Sequence, residues 1–131
     1  MVVPKFRAFY EDKMYGVKAV IWTSRGLYVT LDEGNKIGRR VRGAKVMRST
    51  GLFDKNGKEI FEGDIIVAMS QGAKAIGEVK RRIDGYWLMY PFWQHGELWH
   101  IVENVDTGET GVEVIGNIYE NPELVEEVTN D

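Results

Sequence analysis

Cysteine is absent from this chain of 131 residues, and histidine occurs only twice. Disulfides and thiolate metal sites are therefore excluded, and a reducing cytoplasm is the expected setting. His95 and His100 are five residues apart, which puts them on one face of neither a helix nor a strand, and zinc normally takes three or four ligands. Neither histidine has an obvious Ser or Cys nucleophile as a partner, so we expect no metal, no cofactor and no catalytic triad.

Long apolar runs are also missing. None approaches the roughly 20 residues that a membrane-spanning helix needs. The first residues lack the layout of a secretory signal, because Lys5 and Arg7 directly follow Val2-Val3-Pro4. Neither a phosphate loop nor a Rossmann glycine pattern is present. We therefore expect a cytoplasmic protein that is not an enzyme and has no membrane partner.

Positive charge is missing from the last third of the chain. Residues 1–82 hold all 17 Lys and Arg against 9 Asp and Glu, whereas residues 83–131 hold 11 Asp and Glu and no Lys or Arg. Three interpretations remain open. The two parts neutralise each other within one fold, an acidic face of one subunit meets a basic face of another, or the basic surface binds nucleic acid.

What the sequence does contain is a series of short strand patterns separated by turn signals. Asn56-Gly57 and Asp84-Gly85 predict tight hairpin turns. Asn121-Pro122-Glu123 supplies an N-cap, a proline at the first helical position and an acidic first turn, which predicts a short helix through about Val128. Strands are predicted near residues 5–10, 14–22, 26–31, 36–47 (interrupted at Gly38 and Gly43), 65–69, 75–83, 86–90 and 112–119, while 91–103 is ambiguous.

These patterns predict a mainly β fold. It is either a small SH3-like barrel or a strongly bent antiparallel sheet, with a second β lobe and a short C-terminal helix. The Glu62-Gly63-Asp64 turn, which opens an apolar run, resembles the layout of SH3-like barrels, and we expect both carboxylates to serve the turn rather than catalysis. The simplest organisation is a single domain over residues 1–131, and the alternative is two β lobes, roughly 1–48 and 49–131.

Aromatic residues are concentrated before the last predicted strand. Three interpretations are open: these residues pack in the core, form a subunit interface or stack on unpaired bases. The acidic surroundings disfavour the third, because they repel phosphate. The candidate interface residues are Trp87, Trp93 and Trp99, which recur at a spacing of six, with Tyr90 and Phe92 between them.

A basic stretch occupies residues 36–48. Its cations either follow a phosphate backbone or form a solvated surface and subunit salt bridges. In an extended strand Arg40 and Arg42 share one face and Arg39 takes the other, which divides the patch. The candidate nucleic-acid contacts are Lys36, Arg39, Arg40, Arg42, Lys45 and Arg48.

Two motifs give a family resemblance. The first is TGLFDKNGKEIFEGDII at residues 50–66, and the second is VIGNIYENPEL at residues 114–124. Together with Lys5-Phe6-Arg7-Ala8, they resemble the YopX family of phage and prophage proteins over most of the chain. The resemblance implies a mostly β, self-associating protein in a bacterial cytoplasm, and it carries over no catalytic residues.

The function we expect is therefore that of a phage or prophage accessory protein, acting through protein association as a homo-oligomer. A host or phage protein is a further potential partner. The alternative is a nucleic-acid-binding module that uses the basic stretch at residues 36–48.

Overall fold

The computed structural model describes residues 5–34, 37–70, 73–81, 83, 85–94, 97–106, 108 and 110–125. Its strands are β1 (Phe6–Tyr10), β2 (Lys13–Thr23), β3 (Gly26–Asp32), β4 (Arg39–Arg42), β5 (Lys45–Phe53), β6 (Glu59–Phe61), β7 (Asp64–Ser70), β8 (Ala73–Arg81), β9 (Trp87–Gln94), β10 (Glu97–His100) and β11 (Glu113–Asn117).

Among the described residues, the only helix is one turn at residues 123–125. The predicted helix therefore begins where expected, and residues 126–128 lie outside the described residues. Within the described ranges, no helix is long and apolar enough to cross a membrane.

The chain divides into two compact units, Met1–Ser49 and Thr50–Asp131. Both sheets are antiparallel. In the first unit the strand order is β4-β3-β2-β1-β5, and in the second it is β10-β9-β8-β7-β11, while the end of β5 pairs with β6. The mainly β prediction is confirmed. The described strands do not close into a barrel, so the SH3-like barrel is not confirmed.

The sheet of the first unit is strongly curved. Three strands separate β4 from β5, yet only Gly43 and Ala44 join them. In a flat sheet β4 and β5 would be about 19 Å apart, at about 4.8 Å per strand interval. Three consecutive Cα–Cα steps span at most about 11 Å, so the sheet bends, as one of the two predicted forms requires. Residues of one face form the buried core of this unit, which consists of Ala8, Val29, Leu31 and Val41.

The second unit has a core of its own. Ile66 pairs with Gly77 and Val79 pairs with Met89, which places all four on one face of the sheet. Ile60 from β6 packs in the same core, and the three aliphatic side chains of Ile66, Val79 and Met89 are fully buried. A side chain at Gly77 would have its Cβ 2.6 Å from Cγ of Met89, so close packing requires glycine there.

Polar residues of the two motifs hold the turns of the second unit. Oδ2 of Asp64 accepts a hydrogen bond of 2.8 Å from the N–H of Phe61, which confirms the predicted turn role of this carboxylate. Oδ1 of Asn117 accepts bonds from the N–H groups of Tyr119 and Glu120, at 3.0 and 2.9 Å. These side chains satisfy backbone donors that the sheet leaves without a ladder partner. The motifs therefore contribute to folding.

Candidate functional site

Three of the candidate cations lie on β4, an edge strand of the first sheet. Arg40 pairs with Thr30 and Arg42 with Tyr28, which are alternate residues of β3. Arg40 and Arg42 therefore share one face of the strand and Arg39 takes the other, as the sequence predicted. Arg40 and Arg42 are both exposed. Within the described residues, neither of these two side chains forms an ion pair.

Arg39 is held by its neighbours in the first unit. Its guanidinium carbon lies 5.7 Å from the centroid of the Tyr10 ring. Nη2 is 3.3 Å from a carboxylate oxygen of Glu33 and 3.5 Å from the hydroxyl of Tyr15. These contacts occupy the charge of Arg39, so this residue is less available to an external anion than Arg40 and Arg42.

The remaining candidate cations are dispersed. Lys45 and Arg48 lie on β5, where they pair with Phe9 and Phe6 of β1. Because the two cations are three residues apart, an odd number, they lie on opposite faces of the strand. Lys36 lies outside the described residues. The structure therefore brings Arg40 and Arg42 together, and does not gather the described candidates on a single face.

The tryptophan-rich segment forms β9 and β10 at one edge of the second sheet. The end of β9 and all of β10 fall within residues 91–103, the stretch whose sequence pattern is ambiguous. Most of its described residues are therefore in extended strands. Trp87 is partly buried and packs against the core of the second unit. The guanidinium carbon of Arg81 lies 5.9 Å from its ring centroid. This tryptophan thus contributes to the core of the unit.

Tyr90 lies on the opposite face of β9 from the buried Met89. It is 43% exposed, and Nζ of Lys80 lies 4.4 Å from its ring centroid. Of the aromatic candidates whose side chains are described, Tyr90 is the one presented to solvent. The side chains of the other three candidates, Phe92, Trp93 and Trp99, are outside what the structure describes.

Four ionisable groups, Glu62, Glu78, Lys80 and Tyr119, interact on the second unit. Burial raises the pKa of Glu78. The charge of nearby Lys80 lowers that pKa, and the charge of Glu62 raises it further. Burial also raises the pKa of Tyr119, and the charges of Glu78 and Glu62 add to that effect. Across the described ranges, no group of three or more His, Asp and Glu side chains is placed to hold a metal ion.

Trp22 is the most exposed of the large aromatic residues in the part of the chain that the structure describes, and it was not among the predicted site residues. It lies near the end of β2, pairs with Leu27 of β3, and is 74% exposed. The signal was its position just before Thr23-Ser24-Arg25-Gly26, a polar stretch containing glycine that marks the tip of a hairpin. Apolar periodicity alone gave no reason to separate Trp22 from the core positions that precede it.

The two compact units carry opposite net charges. Met1–Ser49 holds 11 Lys and Arg against 4 Asp and Glu, a balance of +7. Thr50–Asp131 holds 6 Lys and Arg against 16 Asp and Glu, a balance of −10. The charge asymmetry seen along the sequence is therefore also an asymmetry between two separately folded bodies.

Comparison with known proteins identifies the family and a related structure. The family described as YopX protein matches residues 5–126. The crystal structure of protein EF1440 from Enterococcus faecalis is similar to this chain, with 28% sequence identity and a TM-score of 0.59 over 95% of this chain and 99% of that one. No curated protein matches the chain. Because the family match spans nearly the whole sequence, this chain belongs to the YopX protein family.

Proposed function

We propose that the protein is a non-enzymatic accessory protein of a phage or prophage, which works in the bacterial cytoplasm by protein association as a homo-oligomer. The observation that carries this proposal is the opposite net charge of the two compact units, +7 and −10. Family membership supports the phage setting. A host or phage protein with a complementary charge is a further partner of the same kind.

Opposite charges on separate folded units favour contact between copies. The basic unit of one copy attracts the acidic unit of another, which speeds encounter and sets the relative orientation. The attraction acts over a Debye length of about 10 Å at 0.1 M salt and about 3 Å at 1 M. Self-association that weakens as salt rises is therefore the direct expectation.

Size-exclusion chromatography with light scattering tests the proposal. Wild-type protein at high micromolar concentration is expected to elute with a mass above 15.0 kDa, the mass of one chain, at low salt. The mass is expected to fall towards one chain at high salt. A monomer at both salt concentrations would remove the proposal.

A second candidate function is nucleic-acid binding through β4. The observation that favours it is the pair Arg40 and Arg42, exposed on one face of an edge strand beside Tyr28 and Thr30. Arginine side chains bind phosphate well, and an adjacent tyrosine offers a surface on which a base can stack. The net charge of −10 on the second unit opposes this function, because it repels phosphate, and it is the reason why we place association first.

A further inference from the structure

The acidic residues of the first unit are confined to one end of its sheet. This unit has four of them, Glu11 and Asp12 in the β1–β2 turn and Asp32 and Glu33 where β3 ends. The β2–β3 turn lies at the other end of β3. Six residues separate Gly26 from Asp32, which is about 20 Å along an extended strand. The end of the sheet at the β2–β3 turn therefore carries cations without any nearby acid from its own unit.

Trp22 and Arg25 lie at that end, which we call the hairpin tip. Trp22 is 74% exposed and Arg25 is exposed in the turn itself. Arg42 also passes close to the turn, because a Cβ at Gly26 would lie 3.4 Å from its Nε. It pairs with Tyr28, however, whereas Trp22 pairs with Leu27, so Arg42 lies on the opposite face of the sheet from Trp22. An exposed tryptophan close to a cation is the type of residue that anchors protein interfaces.

The hairpin tip is held in one conformation by local bonds. Oγ1 of Thr23 accepts a hydrogen bond of 3.1 Å from the N–H of Arg25 and donates one of 3.0 Å to the carbonyl oxygen of Gly26. Gly26 has a φ of 122°, which favours glycine. A surface that is already ordered loses little conformational entropy on binding, which favours its use in an interface.

The second unit has a loop with the complementary character. Val102 and Val105 are 66% and 96% exposed, and Glu103 and Asp106, also exposed, alternate with them. We call residues 102–106 the valine loop. Oδ1 of Asn104 accepts a bond of 2.8 Å from the N–H of Asp106, which orders the loop. Apolar side chains beside carboxylates match a tryptophan close to an arginine in both polarity and charge.

We propose that the hairpin tip of one copy docks on the valine loop of a second copy. Trp22 packs on Val102 and Val105, while Arg25 faces the two carboxylates. Trp22 and Val105 are both exposed, so each is available to a second molecule. This inference rests on the proposed self-association and assigns its contact surface.

The first experiment removes the anchor. Trp22→Ala is compared with wild type by sedimentation equilibrium at about 0.1 M salt, where charge still acts over about 10 Å. The dissociation constant is expected to rise about 30-fold, the change that separates a hot-spot residue from an ordinary contact. Ile37→Ala is the matched control, because Ile37 is an apolar residue of the same unit that is 95% exposed and lies outside the tip. Circular dichroism and thermal unfolding establish that both variants are folded.

The second experiment reverses charge on each surface separately. One variant carries Arg25→Glu, and the other carries Glu103→Arg and Asp106→Arg. Each variant alone has a tip and a loop of like charge, so each is expected to be monomeric under conditions in which wild type associates. Mixed in equal amounts, the two variants regain opposite charges at every tip–loop contact and are expected to associate.

The outcomes separate this inference from the proposal on which it rests. Monomeric wild-type protein overturns both. Wild-type association that Trp22→Ala leaves unchanged, or charge-reversed variants that do not associate on mixing, overturns the tip–loop contact alone. A third arm uses fluorescence anisotropy of a labelled single-stranded oligonucleotide. If Trp22→Ala weakens oligonucleotide binding and leaves self-association intact, the tip binds nucleic acid and the inference is overturned.

Discussion

The carboxylate of Asp54 accepts a hydrogen bond of 3.0 Å from the backbone N–H of Val114, 60 residues further along the chain. Its other oxygen accepts bonds of 2.9 and 2.8 Å from the N–H groups of Asn56 and Lys58. One buried side chain thus connects the hairpin turn of the first YopX motif to the start of the second. The contact joins the two motifs in space and serves folding.

Asp54→Asn is expected to destabilise the second unit by about 2–3 kcal/mol, because hydrogen bonds to a charged group stabilise more than neutral ones and an amide nitrogen would face a backbone donor. Urea unfolding followed by circular dichroism measures the change. Asp12→Asn, a change of the same kind at an exposed position outside the proposed contact, is the control and is expected to stay within about 0.5 kcal/mol of wild type. Equal stability of both variants would show that the Asp54 network contributes little.

The contribution of Asp54 should depend on pH. Burial raises the pKa of this carboxyl, but the backbone N–H groups of Val114, Lys58 and Asn56 and the charge of Lys58 outweigh burial, so its pKa lies below the ordinary 3.8. The unfolded chain therefore binds the proton more readily. The stability from Asp54 is fully present above the unfolded pKa and is lost as pH falls through the lower, folded pKa.

The measurement that checks this pH dependence is the difference in unfolding free energy between wild type and Asp54→Asn, taken from pH 7 downwards. The difference is expected to be constant from pH 7 to about 5 and to shrink below the ordinary aspartate pKa of about 3.9. A difference that grew on acidification would contradict the direction of the pKa shift.

Gly77→Ala is expected to disrupt the pairing of β8 with β9. The new Cβ would lie 2.6 Å from both Cγ of Met89 and the carbonyl oxygen of Tyr90, and the backbone atom can move away only by disturbing the ladder. Overpacking of this kind costs about 1–3 kcal/mol, which thermal or urea unfolding would detect. Gly16→Ala is the matched control, since its Cβ would make an ordinary contact of 3.5 Å with Cβ of Asp32. Similar losses in both variants would contradict this account.

Nucleic-acid binding is tested by removing the paired arginines. If the β4 surface binds DNA or RNA, Arg40→Gln with Arg42→Gln should weaken binding and make the affinity less dependent on salt, by up to about two charges' worth of counterion release. Lys55→Gln with Lys58→Gln removes the same charge from the second unit and is expected to have little effect. Anisotropy titrations at several salt concentrations measure both. If wild type shows no binding at about 50 mM salt, the second candidate function is excluded.

Local signals predicted much of the fold. The alternation of polar and apolar residues predicted β1, and Gly38 and Gly43 predicted the two ends of β4. Asn56-Gly57 predicted a hairpin turn, in which Gly57 has a φ of 82°. These features depend on residues close together in sequence. The face shared by Arg40 and Arg42 was predictable for the same reason, since the alternation of side chains follows directly from extended backbone.

The stretch at 91–103 was ambiguous because Pro91 is unusual inside a strand. In the structure β9 pairs with β8 up to Tyr90, and its register with β10 shifts between Leu98 and Trp99. Pro91 thus lies after the last described pair of β9 with β8 and within the interruption of its register with β10. That register is set by tertiary pairing, which composition and local pattern do not reveal.

Apolar periodicity did not predict the surface exposure of Trp22, for a related reason. Strand periodicity places Trp22 on the same face as Val20, but it does not show where along a strand the core ends. Only the curvature of the sheet and the position of the turn decide that Leu27 is half-buried while its cross-strand partner Trp22 is exposed.

The central claim is that oppositely charged units bring copies of this chain together, and the most direct test is the dissociation constant of wild-type self-association as a function of salt. Sedimentation equilibrium from about 0.05 M to about 1 M salt gives that curve, over which the Debye length falls to about 3 Å. The account predicts an oligomer at low salt whose dissociation constant rises steadily with salt. A chain that stays monomeric throughout, or an oligomer whose dissociation constant is independent of salt, would contradict it.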